Sequence, residues 1–273
     1  VLNYALVFGH FGFPAMGIEG AGIASMISEI ISFAVILGYI IYWKYPRQYL
    51  LFSFKNPEFA VMKRILNLAG PIIMQSVVGA LSWFFLFTII VNYIGKQELA
   101  FSNVLKIIYT FFALPTWGLA GATNTLVSNI LGQGKHDLLF PLLKKIVVLS
   151  FSICAVLMLF LFLFPSTILS LFTDDPVLIE NYPASLKVVI VALLLVSVGN
   201  ILFRAVTGAG AARYALKIEV ISVGIYILFV WFTVVLFEGN LPIAWSVEIV
   251  YWLVLGILCL RYLKKGYWKR LEL

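Results

Sequence analysis

The sequence predicts an all-α polytopic membrane protein, a helical bundle of seven transmembrane helices, on three observations. Seven apolar stretches of spanning length succeed one another in 273 residues, hydrophobic residues make up 63% of the chain against 11% charged, and the positive charge of the connecting loops falls on alternate sides. Soluble domains carry roughly 25% charged residues, so a water-soluble fold would leave most of these side chains without a core to enter. Hydrocarbon satisfies no backbone hydrogen bond, which restricts spanning segments to helices or closed barrels. The stretches far exceed the roughly 10 alternating residues of a barrel strand.

Taken in order, the predicted spans are Gly17 to Trp43, Leu66 to Ile94, Leu99 to Leu131, Leu138 to Phe164, Ala184 to Thr207, Tyr214 to Phe237 and Leu241 to Leu263. Each meets the ~20 helical residues needed to cross ~30 Å of hydrocarbon. Residues 1–16 lack a basic leader and a cleavage site; they read as the tail of an earlier helix and a Gly/Pro-rich outer turn, Gly9 to Pro14. Because residue 1 is Val, the chain reads as a fragment. Between the first two spans, Lys44 to Arg64 carries Pro46, Pro57, five basic residues and an amphipathic stretch, Pro57 to Leu66, which predicts a cytoplasmic linker at the interface. The third span holds Pro115, with Gly118 and Gly121 three and six residues on, and predicts a kink that serves either as a hinge or as static packing. Cys154 and Cys259 fall in separate spans without CxxC spacing, so they read as packing residues.

Loop charge sets the orientation. Five Lys or Arg follow the first span, three follow the third, three flank the turn after the fifth and five close the chain, 16 of the 19 in all. The opposite loops hold Lys96 with Glu98, then Asp174, Asp175 and Glu180, then Glu238. The first group is predicted to be cytoplasmic, so the C-terminus is cytoplasmic. The net charge of +7 follows from this topology and from attraction to anionic lipid; the bilayer is the partner it implies, not nucleic acid.

The first and last spans echo one another. Ala24 to Ile31 (ASMISEII) and Ile243 to Val250 (IAWSVEIV) each place a Glu in the outer half, ahead of an apolar run and a basic inner end. The echo predicts two six-helix halves, with the first span closing one and the last closing the other; paired halves are a transporter architecture with the substrate site between them. The domain reading is therefore 1–45 as the end of an N-terminal lobe, 46–65 as the inter-lobe linker, 66–265 as a six-helix lobe and 266–273 as a cytoplasmic tail.

The run from Gly70-Pro71, through Asn92 to Gly95, Leu99-Ala100 and Pro115-Thr116-Trp117-Gly118, to Leu126-Val127-Ser128-Asn129-Ile130-Leu131-Gly132-Gln133-Gly134-Lys135 resembles the second half of the multidrug and toxic compound extrusion (MATE) transporters. Gly17 to Ala24 resembles the start of that family's sixth helix, and Thr207-Gly208-Ala209-Gly210 its glycine turn after the tenth. The resemblance covers essentially the whole chain, as helices six to twelve, and implies half of a two-lobed twelve-helix transporter whose N-terminal lobe completes it. It further implies a central cavity, export of small, mostly cationic organic substrates, and a Na+ or H+ gradient as the coupling ion with no other cofactor. In well-known branches of the family, acidic residues of helices one, seven or ten bind that ion. The helix-seven position falls near Gly79, and neither Leu66 to Ile94 nor Ala184 to Thr207 holds an Asp or Glu, so coupling falls to the other lobe or to other residues.

Polar groups inside the spans are the candidate site, since a charge in hydrocarbon costs several kcal/mol unless it meets a cavity or a partner. Lys106, about two turns into its span, reads either as a side chain snorkelling to headgroups or as a cavity group pairing with Glu29 or Glu248. Asn103 lies three residues before it and shares its face. Glu29 and Glu248 read as cavity carboxyls or as carboxyls hydrogen-bonded between helices. Gln75 and Asn200 read as substrate contacts or as interhelical amides. Glu219 reads as an interfacial ion pair with Lys217 and Arg213, and Arg204 as a lipid anchor or loop staple. Pro115 is the candidate hinge.

No enzyme signature appears: His10 and His136 have no second His or Cys at ligand spacing, no metal set is present, and no G-x-S-x-G turn occurs. The predicted function is secondary active efflux, exchanging Na+ or H+ for organic xenobiotics by alternating access. The alternatives are a lipid-linked oligosaccharide flippase of the same superfamily, which calls for a more cationic cavity, and a seven-helix receptor that transports nothing.

Overall fold

The structure is a computed structural model and describes residues 1–43, 59–173, 175–176 and 183–270. Each predicted span is a helix long and apolar enough to cross a membrane, seven among the described residues. Contacts divide the chain into two units, Val1–Met62 and Lys63–Leu273.

In the first unit a short helix, α1 (Leu2–Phe8), ends at left-handed Gly9 and packs on α2 (Gly17–Tyr42). The two meet at small side chains: Ala5, Gly20 and Ala24 are buried, and the Met16 amide donates to the Leu6 carbonyl at 2.9 Å. Beyond that contact Ile30, Phe33 and Ile36 of α2 are exposed, as suits a helix whose remaining surface meets lipid.

The second unit begins within α3 (Phe59–Ile89), which continues as a π-helical turn over Ile90–Ile94. Residues 59–65, the end of the predicted linker, are helical and continuous with the span, because FAVMKRIL offers neither Gly nor Pro to stop the helix. The rest of that linker, 46–58, lies outside the described residues. Then follow α4 (Lys96–Gly132), α5 (Leu139–Leu163), the short α6 (Pro165–Leu169), α7 (Pro183–Gly208), α8 (Ala212–Val230) with a second π-helical stretch (Trp231–Leu236), the short α9 (Leu241–Trp245) and α10 (Val247–Lys265). Helix α4 stays helical through Pro115.

The most deeply buried of the seven spans is α7, which packs on α4, α5 and α10. Two apolar layers surround it. One is built on Leu105, Ile108, Met158, Leu193 and Trp245, the other on Val127, Leu143, Ala205, Ala215 and Leu263. In lipid, water does not drive helices together, so association rests on close packing and interhelical hydrogen bonds. The α4–α7 crossing uses both: Ser128 Oγ donates to the Gly208 carbonyl at 2.8 Å, and Thr207 Oγ1 to Asn124 Oδ1 at 3.2 Å. Gly210, with φ of 77°, then turns the chain into α8.

Gly208 is the tightest point of that crossing, since a Cβ there would stand 2.6 Å from the Asn124 backbone oxygen. We expect Gly208→Ala to destabilise the protein by about 1–3 kcal/mol, the usual cost of overpacking. Gly224→Ala, where a Cβ meets nothing within 4 Å, should be neutral or stabilising by up to about 1 kcal/mol. Melting temperatures in detergent compare the two.

Candidate functional site

Helix α10 presents Glu248, Tyr251 and Trp252 at i, i+3 and i+4, one face of a helix, and that face is the core of the site. Glu248 is 2% exposed. Tyr109 of α4 donates to its Oε2 at 3.1 Å and Tyr226 of α8 to its Oε1 at 3.3 Å, while Trp252 Nε1 donates to the Tyr109 hydroxyl at 2.8 Å. Three helices are thus joined through one carboxyl group. A second carboxyl follows the same pattern, with the Tyr251 hydroxyl donating to Glu219 Oε1 at 2.8 Å.

These groups line two adjoining cavities that share Gly79, Trp117, Tyr251 and Trp252. The first, ≈ 460 Å³, takes in Gln75, Asn200, Arg204 and Glu219. The second, ≈ 380 Å³, takes in Trp83, Lys106, Tyr109, Tyr226 and Glu248. Lys106 Nζ lies 5.6 Å from the Trp83 ring centroid and 5.3 Å from that of Phe87, within the range of attraction between a cation and an aromatic face. One cation and one carboxyl in each cavity, with six Tyr or Trp rings between the two, give a surface that is aromatic, polar at fixed points and balanced in charge.

Of the candidates read from the sequence, the structure brings together Lys106, Glu248, Gln75 and Asn200. Gln75 also ties α3 to the start of α8, its Nε2 donating to the Ala212 carbonyl at 3.0 Å. Asn103 is exposed, and its amide donates to Leu99 of its own helix at 3.1 Å. Glu29 is exposed on α2 of the first unit. Pro115 lies within α4, two residues ahead of Trp117 on the cavity wall.

Two residues read as interfacial belong to the cavity instead. Glu219 is 4% exposed and lines it with Arg204. Residues 217 and 219 are about 200° apart around a helix, so Lys217 faces a different groove and cannot share the carboxyl's surroundings. The resemblance had pointed to a carboxylate near Gly79; a Cβ at Gly79 would stand 3.2 Å from Glu219 Oε1, so the carboxyl next to that position comes from α8. Trp117, Tyr226, Tyr251 and Trp252 were not read as site residues. The i, i+3, i+4 spacing of Glu248, Tyr251 and Trp252 was the available signal.

A family model described as MatE matches residues 71–232. The chain is similar to the probable multidrug resistance protein NorM of Thermotoga maritima, 27% identical over 270 residues, which is 98% of this chain and 58% of that protein. It is also similar to the probable multidrug resistance protein NorM of Agrobacterium fabrum, 32% identical over 136 residues, 49% of this chain and 29% of that protein. Among solved structures, an outward-facing multidrug resistance MATE family transporter of the MOP superfamily superposes with a TM-score of 0.83 at 18% identity, covering 99% of this chain and 60% of that one. A MOP superfamily transporter from Pyrococcus furiosus, described as having a binding pocket of reversed polarity, superposes with a TM-score of 0.81 at 18% identity, over 99% of this chain and 61% of that one. The chain therefore spans less than two thirds of the length of these relatives.

Helices α7 and α10 meet at Gly199, where a Cβ would lie 2.9 Å from Trp252 Cε3 and 3.3 Å from the Trp252 carbonyl oxygen. Gly199→Ala should displace the indole from Tyr109 and destabilise the fold by about 1–3 kcal/mol. Gly256→Ala, whose Cβ would meet Gly199 Cα at an ordinary 3.7 Å, should melt closer to the parent protein in the same detergent.

Proposed function

The chain belongs to the MatE family, and we propose on that footing that it forms seven spans of a secondary efflux transporter, with the two adjoining cavities as its share of the path for organic cations. The observation that carries this reading is the pair of buried carboxyls, Glu219 and Glu248, set among tryptophan and tyrosine rings in one lined space. Carboxyls attract a cation's charge and aromatic faces attract its flat apolar body. The volumes fall within the roughly 300–1,000 Å³ of small-molecule sites.

The coupling ion that suits these residues is a proton. Both oxygens of Glu248 accept from tyrosine hydroxyls, and a hard cation, which needs several oxygen ligands, would have to displace them. Protonating Glu248 makes one of its oxygens a donor, so a tyrosine hydroxyl must turn to accept, and through Tyr109 the change reaches Trp252. Proton and substrate would compete for the same cavity, and the competition would drive alternating access of this lobe against its complement. Orientation follows the loop charges, with the C-terminus cytoplasmic.

Lys106 then has a stated role: its ammonium occupies the Trp83 and Phe87 faces and leaves them when an organic cation arrives. The flippase alternative calls for excess positive charge to hold pyrophosphate, whereas Arg204 and Lys106 are matched here by Glu219 and Glu248. Membership of the MatE family leaves the receptor reading without support.

The test is uptake of a fluorescent organic cation into inside-out vesicles carrying the full-length protein, with an imposed acid-inside pH gradient. Glu248→Gln should lower the rate at least about tenfold, since the neutral amide cannot exchange the proton, and Lys106→Ala should likewise abolish proton-driven export. Normal rates in both variants at normal expression would overturn the proposal.

A further inference from the structure

The same two helices that carry the carboxyls, α8 and α10, enclose a separate cavity of ≈ 410 Å³ between their other faces. Lys217 from α8 and Arg261 and Lys265 from α10 surround it, over an apolar floor that includes Ile221 and Leu258. Tyr214 and Tyr262 close one wall, their ring centroids 4.2 Å apart. No Asp or Glu is among its lining residues. We propose that this pocket binds the phosphodiester headgroup of an anionic phospholipid, with the acyl chains laid along the apolar faces of α8 and α10.

Three features support a built site over a diffuse basic surface. First, the cations converge from two helices, and Arg261 and Lys265 share a face by their i, i+4 spacing; all three side chains are exposed at the rim, with Lys265 Nζ 5.8 Å from the Tyr267 ring centroid. Second, the end of α10 is held in place. Gly266, with φ of 70°, reverses the chain, and buried Trp268 donates its Nε1 proton to the Leu263 carbonyl at 2.9 Å. Third, charge gives way to hydrocarbon within the same groove, where Ile221 is 51% exposed and Leu258 is half-buried.

That last feature distinguishes a lipid from a free phosphate. A free phosphate would engage the cations alone, whereas a phospholipid joins its headgroup to them and lays its own chains on Ile221 and Leu258. Basic pockets between transmembrane helices on the cytoplasmic side are suited to such headgroups, and the loop charges put this end of the bundle on that side. A lipid here would touch the backs of α8 and α10, the helices whose fronts hold Glu219 and Glu248.

The test uses the full-length protein purified in detergent and native mass spectrometry with three probes: phosphatidylglycerol, phosphatidylcholine and inorganic phosphate. Phosphatidylglycerol should be retained over phosphatidylcholine, and retention should fall about fivefold for each cation removed in Lys217→Gln and in the double variant Lys217→Gln/Arg261→Gln. Lys144→Gln/Lys145→Gln, which changes two exposed lysines of α5 outside the pocket, should retain lipid as the parent does. Equal retention of the two lipids, an equal loss in the α5 variant, or inorganic phosphate that binds alone and displaces the lipid would each overturn the proposal. Matching melting temperatures across the variants verify that the fold is intact.

Discussion

Hydrocarbon offers no hydrogen-bond partner, and this one constraint organises the protein at every level. It forces the backbone into helices and favours a match for each buried side-chain donor or acceptor on a neighbouring helix or on its own turn; among the described residues the hydroxyls of Ser150, Ser185 and Ser222 are buried without one. Hydroxyls of Ser82, Thr123 and Ser197 satisfy it locally, by donating to carbonyls three or four residues back. Ser128, Thr207 and Gln75 satisfy it between helices, and in doing so fix how α3, α4, α7 and α8 meet. Glycines at the crossings let those short bonds form: without Gly208 the Asn124 carbonyl would be in the way, and without Gly199 the Trp252 indole would be.

The same constraint makes the two carboxyls the informative groups. Glu248 and Glu219 are buried among tyrosines, whose neutral hydroxyls donate to both oxygens of Glu248 and to Oε1 of Glu219. A pairing chosen only for stability would place a lysine or arginine directly on each. Here Arg204 and Lys106 stand at the same cavities, and Lys106 is engaged with aromatic faces. Charges held near, but not on, one another are what an exchange site needs, because a substrate cation or a proton must be able to change the balance.

Much of the fold was legible because spanning helices announce themselves by length and hydropathy; the seven helices fall on the seven predicted stretches, with their ends shifted by a few residues. Helix α3 already holds residues 59–65, ahead of the predicted span, because Lys63 and Arg64 do not interrupt a helix. The π-helical turns at Ile90–Ile94 and Trp231–Leu236 have no signature in composition. The site was legible only in part. Lys106 and Glu248 stood out as charges in hydrocarbon, but which way a helix faces depends on its neighbours. That is why Glu219, near basic residues in sequence, was read as interfacial, and why Tyr226 and Tyr251 were lost among many aromatics. Asn103 shares sequence spacing with Lys106 yet turns back on Leu99, because a short amide can satisfy itself on its own helix.

The central claim is that a proton and an organic cation compete for the carboxyl groups of this cavity. The most direct measurement is proton release when an organic cation is added to the full-length protein in weakly buffered detergent solution. The account predicts that cation binding expels protons, and that Glu219→Gln/Glu248→Gln binds the cation more weakly and, when saturated, expels none. Saturating cation binding with no proton released by the parent protein would contradict it.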